Sequence, residues 1–111
     1  MMYKQGDIVV VKFPFTDLSS FKPRPAIILS NSANNKQGDY LIVQVTSKSS
    51  FDTALEIRSE DYSGKPLALQ SFVRCNKIFC LSESLIAKKA GRVNVAFSRK
   101  INKKVLAIIK R

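Results

Sequence analysis

Residues 22–30 read KPRPAIILS, from Lys22 to Ser30. Arg24 stands between Pro23 and Pro25, and an apolar run, Ala26-Ile27-Ile28-Leu29, follows. Proline fixes φ, lacks an amide hydrogen and pushes the residue before it toward extended geometry. The stretch therefore predicts a strand over Ala26–Ser30, with Arg24 held extended at its mouth. A guanidinium on a stiffened backbone has little freedom left to lose when it meets an anion. A plainer reading fits the same residues: the prolines end a loop, and Arg24 is a solvated charge.

Working outward, Gly6-Asp7 opens a first element, and Ile8–Val11 reads as a buried strand that ends near Phe13-Pro14-Phe15. Thr16–Ser20 is turn chemistry. On the other side, Asn31–Asp39 is a polar loop or hairpin end, and Tyr40–Thr46 is a third strand. Alternation puts Leu41, Val43 and Val45 on one face, and Ile42, Gln44 and Thr46 on the other. Ala54–Arg58 is a short fourth strand. A fifth runs from Ala68 to Arg74 and continues, after a bend, from Lys77 to Leu81. Leu85-Ile86 is a short element, and Lys88–Gly91 a basic turn. A helix closes the sequence, with Ser98 as its N-cap. Ile101, Val105, Ile108 and Ile109 form an apolar stripe on it, a core or dimer face. Arg99, Lys100, Lys103, Lys104 and Lys110 fall on the other side. Five or six short strands and a C-terminal helix predict a small curled or closed antiparallel sheet capped by that helix. At 111 residues it is one domain, 1–111.

The composition excludes several chemistries. There is no histidine, which removes Ser-His-Asp and Cys-His nucleophilic sites and every His-based zinc site. Only eight carboxylates occur, and the closest pair, Glu60-Asp61, reads as a solvated turn; no metal or other cofactor is expected. Cys75 and Cys80, five apart on a strand read as uninterrupted, fall on opposite faces and are expected to pack as reduced core thiols. No apolar run suits a membrane span, and MMYKQGD lacks the features of a secretory signal, so a cytoplasmic location is expected. Charge is lopsided. Residues 1–73 hold eight Lys/Arg and seven Asp/Glu, whereas residues 74–111 hold eleven and one. A basic field on one part of the chain implies an anionic partner: nucleic acid, an acidic protein or a membrane surface.

GDIVVVKFPFTD, RPAIILS, QVTS and LALQSFVRCNKI, in that order and spacing, resemble the PemK/MazF (Kid) family, the endoribonuclease toxins of type II toxin–antitoxin systems. The motifs span about Gly6 to Leu81, and the final helix fits the family's last one. The resemblance implies an SH3-like barrel with a helical C-terminus, a homodimer, and metal-independent cleavage of single-stranded RNA to a 2′,3′-cyclic phosphate and a 5′-hydroxyl. It also implies an antitoxin partner whose acidic tail covers the RNA groove. Carried over residue by residue, Arg24 matches the family's catalytic arginine and Thr46 its active-site hydroxyl. Arg74 matches a second arginine of the Kid branch. Asn76 stands where that branch has an aspartate, and the branch's loop histidine has no counterpart here.

The residues suit that chemistry in part. Such cleavage needs a deprotonated 2′-oxygen, a stabilised phosphorane and a protonated 5′-oxygen. Arginine serves the second need, being always charged, planar and bidentate to phosphate oxygens. Thr46 can donate to the same phosphate. Arg74, Asn76, Ser47 and Lys22 are candidates for gripping RNA phosphates. A base has few sources; Asp17, in the turn before Arg24, is one, though it also suits the turn itself. The competing reading is a non-cleaving module of the same fold that binds RNA or an acidic antitoxin.

Overall fold

The computed structural model describes residues 2–14, 21–49 and 54–111. Its strands are β1 (Asp7–Pro14), β2 (Phe21–Ile28), β3 (Asp39–Thr46), β4 (Ala54–Ile57), β5 (Ser71–Ser82) and β6 (Ile86–Arg92). They form one antiparallel sheet in the order β4-β5-β3-β2-β1-β6. Two helices accompany it, α1 (Ser32–Asn35) and α2 (Val95–Ile109). The expected antiparallel sheet with a C-terminal helix is present, but the closed barrel is not: β4 and β6 are sheet edges. The stretch after β4 spans the gap between them with one isolated bridge, Tyr62 to Val93, and a Ser63 N–H that donates to the Arg92 carbonyl at 2.8 Å.

The sheet buries both faces. One carries Val9, Val11, Ala26, Ile28, Tyr40 and Ile42, joined by Tyr3, Leu81 and Ile86. The other carries Ile8, Ile27, Val43, Val45, Ile57 and Val73, and Phe97 and Ile101 of α2 pack onto it. Two buried faces explain why the strand sequences read as unbroken β-branched runs.

The two prolines sit inside β2, which starts at Phe21, five residues earlier than predicted. Their effect follows from the ladder geometry. The Leu29 N–H donates to Leu41 O at 2.8 Å, so odd residues of this strand point their amides toward β3. Ile28 O accepts from Gly6 N–H at 2.9 Å, so even residues point toward β1. Pro25 and Pro23 therefore delete the donors that would continue the β2–β3 ladder, and that ladder stops at Ala26–Gln44. Pairing of β2 with β1 continues to Phe21–Pro14. The strands beside Arg24 are thus free to part.

Strand β5 bends as expected, by a bulge. Gln44 pairs with Arg74 but Val43 with Ile78, which leaves Cys75, Asn76 and Lys77 extra on β5. The bulge separates the two thiols. Cys75 is fully buried on the helix side, and burial pushes its thiol pKa up. Cys80 lies beyond the bulge and is exposed, which corrects the expectation that both pack in the core. A thiol reagent is expected to label one cysteine per chain rapidly under native conditions and the second only on unfolding. Mass mapping of the modified peptide should place the fast site at Cys80; equal rates at both positions would contradict the buried environment of Cys75.

Three further boundaries differ from the sequence reading. Helix α2 begins a turn early: Asn94, not Ser98, is its N-cap, with its side-chain oxygen accepting from Phe97 N–H at 2.9 Å. The Asn94 side chain also donates to Glu60 O at 2.8 Å, tying the helix start to the Ser59–Asp61 turn. The basic turn at Lys88–Gly91 is edge strand β6, whose charged side chains suit an unpaired sheet edge. The polar loop after β2 contains α1, locked by Asn35, whose amide donates to Ser30 O at 2.9 Å while its oxygen accepts from the Ser30 hydroxyl. Asp7, 2% exposed, accepts from Lys4 N–H at 2.8 Å and pairs with Lys89 and Arg92. It thereby joins the N-terminal arm to the β6 edge.

Candidate active site

A hollow of about 340 Å³ opens where β2 and β3 part. Pro23, Arg24 and Pro25 form one side, and Gln44, Val45, Thr46 and Ser47 the other. Leu67, Ala68, Leu69 and Ser71, from the segment entering β5, close the third side. Arg24 and Thr46, 22 residues apart in sequence, share this hollow. The pairing explains how: Ala26 faces Gln44, so two residues further along each strand Arg24 and Thr46 come opposite, on the same sheet face. The Thr46 hydroxyl oxygen accepts from Lys48 N–H at 3.2 Å. That bond occupies a lone pair and leaves the hydroxyl proton for another acceptor.

The other predicted residues fall at different distances from this pair. Ser47 lines the hollow and is exposed. Arg74 does not line it but pairs across the ladder with Gln44, which does, and is half-buried. Asn76 sits exposed on the β5 bulge and Lys22 exposed on β2; neither lines the hollow. Asp17 lies outside the described residues. Sequence reading missed Gln44, Ser71 and the Leu67–Leu69 wall. A signal for Gln44 existed, since alternation along the third strand already placed it on the Thr46 face.

Among the described residues, no carboxylate lines the hollow, and no group of three or more Cys, Asp or Glu side chains is placed to hold a metal. The lining offers one permanent cation, two hydroxyls beside Thr46, one amide and an apolar wall. Such a set binds an anion and an adjacent flat apolar group. It has no described side chain suited to take a proton near neutral pH.

A larger hollow, about 530 Å³, opens near the other end of β2. Lys4, Arg92 and Arg99 line it with Asn31, Ser32 and Asn102. Arg24 and Asn31 are seven residues apart, so at about 3.3 Å per residue the two hollows lie roughly 20 Å apart. The larger one gathers cations of the basic C-terminal third but lacks the strand-end hydroxyl and the proline-braced arginine. No described helix is long and apolar enough to cross a membrane.

Comparison with known proteins bears on this site. Residues 4–109 match the family described as PemK-like, MazF-like toxin of type II toxin-antitoxin system. None of the curated proteins matches the chain. Among solved structures, MazF (Form-I) from Deinococcus radiodurans is similar over 100% of this chain and 99% of its own, with a TM-score of 0.79 and 18% identity. An endoribonuclease in complex with its cognate antitoxin, from a mycobacterial species, covers 96% of this chain and 94% of its own, with a TM-score of 0.76 and 20% identity. A second mycobacterial endoribonuclease covers 98% and 92%, with a TM-score of 0.75 and 22% identity. At these identities the likeness is one of fold.

Proposed function

Because the chain belongs to the PemK-like, MazF-like toxin family of type II toxin–antitoxin systems, we propose that it is an endoribonuclease that cuts single-stranded RNA at the Arg24–Thr46 hollow without a metal. The observation that carries this reading is the convergence of Arg24 and Thr46 on one opening between β2 and β3. The solved proteins with this fold include endoribonucleases, one of them with its cognate antitoxin. On this reading the partners are single-stranded RNA and an acidic antitoxin, and the place of action is the cytoplasm.

In the cleavage step the RNA 2′-oxygen attacks the adjacent phosphorus. Its proton leaves, the bond from phosphorus to the 5′-oxygen breaks, and the departing oxygen gains a proton. The products are a 2′,3′-cyclic phosphate and a 5′-hydroxyl. Arg24 offers two parallel N–H donors to the phosphoryl oxygens, where negative charge builds in the transition state. Thr46 donates its hydroxyl proton to the same group. Arg74, one strand further, serves a flanking phosphate. With no carboxylate or imidazole among the described lining residues, protons pass to and from solvent unless Asp17 takes part. The expected catalysis is therefore electrostatic and slow.

The basic C-terminal third supports a polyanionic partner. Lys88 and Lys89 on β6, with Arg92 and Arg99 nearby in the fold, set up a positive field along one edge of the sheet. The far end of α2 supports self-association: Leu106 and Ile109 are 63% and 66% exposed, and a homodimer would cover them.

Incubation of the purified protein with single-stranded RNA in excess EDTA tests the activity. Fragments ending in a 2′,3′-cyclic phosphate, with free 5′-hydroxyls, are expected; RNA cut only when Mg²⁺ is added back would refute the metal-independent step. The missing described base favours one second reading, a module that binds RNA or the antitoxin without cutting. RNA that is shifted in a binding assay yet stays intact would establish that instead.

A further inference from the structure

The amide of Gln44 is not needed for the cleavage step, yet it lies in the same hollow. Its side chain is half-buried on β3, between Ala26 of β2 and Arg74 of β5 in the ladder. Among the described residues it has no hydrogen-bond partner. A half-buried amide that neither donates nor accepts within the protein leaves its bonding capacity to water or a ligand.

The chemistry of the lining separates two tasks. Arg24 carries donors only, and the hydroxyls of Thr46 and Ser47 each offer one proton; these suit phosphate oxygens, whereas the Ser71 hydroxyl donates to Leu69 O at 2.9 Å. Gln44 alone presents a donor and an acceptor side by side in one plane, the pattern that matches the edge of a nucleobase. Leu67 and Leu69 line the same hollow, and Leu69, 68% exposed, offers a surface on which a flat ring can rest. The volume, about 340 Å³, lies within the range of sites that hold a small molecule the size of one nucleotide.

We propose that Gln44 reads the edge of one base beside the cut bond and so sets the cleavage-site selectivity of this protein. The proposal rests on the RNA-cleaving reading given above. Adenine or cytosine is the expected base, because in each an amino group donates beside a ring nitrogen that accepts, and a glutamine amide meets both with two bonds. In single-stranded RNA that edge is open to a side chain.

The test uses the full chain and a pool of RNA randomised around a fixed flank, with cut ends sequenced for wild type, Gln44→Ala and Gln44→Leu. The leucine variant keeps the side-chain bulk and removes both bonding groups. Wild type is expected to enrich one base about tenfold or more at one position next to the cut, since a bidentate contact discriminates by roughly that factor. Both variants should still cut, with the enrichment flattened to within about twofold. Loss of the preference in both variants supports the proposal whichever base carries it. An unchanged preference, or a wild type with no preference beside the cut, overturns it. If wild type binds RNA without cutting, the nuclease reading fails separately. The same comparison is then made by binding to oligonucleotides that differ at one base, and equal affinity of wild type for all four overturns the role of Gln44.

Discussion

Replacing Arg24 by alanine is expected to lower the rate of RNA cleavage about 10²–10³-fold, the loss seen when one preorganised donor to a developing anion is removed, or roughly 2.7–4 kcal/mol of transition-state stabilisation. The protein should otherwise be intact, because Arg24 is exposed and its strand is held through β1. A melting temperature within about 2 °C of wild type is expected for a surface change of this kind. The loss should appear in single-turnover cleavage with RNA saturating, where binding no longer limits. Arg24→Lys keeps a positive charge but not the planar pair of donors, and should recover only part of the rate. Full activity in the alanine variant would remove the hollow from the mechanism, since among the described residues no other permanent cation lines it.

The same proline-flanked arginine shows what sequence can and cannot disclose. Its extended backbone was legible, because the restriction proline places on its neighbour is local. The role of the prolines was not. They delete amides that point toward β3, and which partner an amide faces depends on the register of two other strands. Alternation along the third strand put Gln44 with Thr46, but only the ladder reveals that this face meets Arg24. Strand β6 escaped notice because Ile86-Ala87-Lys88-Lys89-Ala90-Gly91-Arg92 is mostly exposed. An edge strand rich in lysine has the composition of a turn. Likewise Cys80 was assigned to the core by residue type, and a bulge of three residues put it outside. The early start of α2 was readable in principle: Asn94 is as good a cap as Ser98, and it lets Phe97 turn inward. Between β4 and β6, among the described residues, one isolated bridge, Tyr62 to Val93, stands in place of a ladder.

Replacing Phe97 by alanine is expected to have the largest effect on stability, a loss of about 3–5 kcal/mol. Phe97 is 1% exposed and packs with Ile101 against Ile8, Ile27, Val43 and Val45, the apolar face that α2 covers. Removing the ring leaves a cavity at the first turn of the helix, where the cap at Asn94 also fixes the helix to the Ser59–Asp61 turn. A domain of this size is stable by about 5–15 kcal/mol, so the substitution removes a large share. Urea unfolding followed by far-ultraviolet circular dichroism measures the loss, with Leu106→Ala at low protein concentration as the contrasting variant. Leu106 lies on the same helix but 63% exposed, and its removal should change the stability of a monomer by no more than about 0.5 kcal/mol. A drop below 1 kcal/mol for Phe97→Ala would mean that α2 is not docked as the buried cluster requires. Activity supplies the sharper half of the prediction. Phe97 meets the sheet on the Ile27 and Val43 face, while Arg24 and Thr46 project from the opposite one. Val45 and Leu67 of the Phe97 cluster also line the hollow, but none of the groups assigned to the chemistry belongs to that cluster. The folded fraction of Phe97→Ala, below its unfolding transition, should therefore cut RNA at the wild-type rate per molecule, whereas Arg24→Ala should be fully folded and nearly inactive.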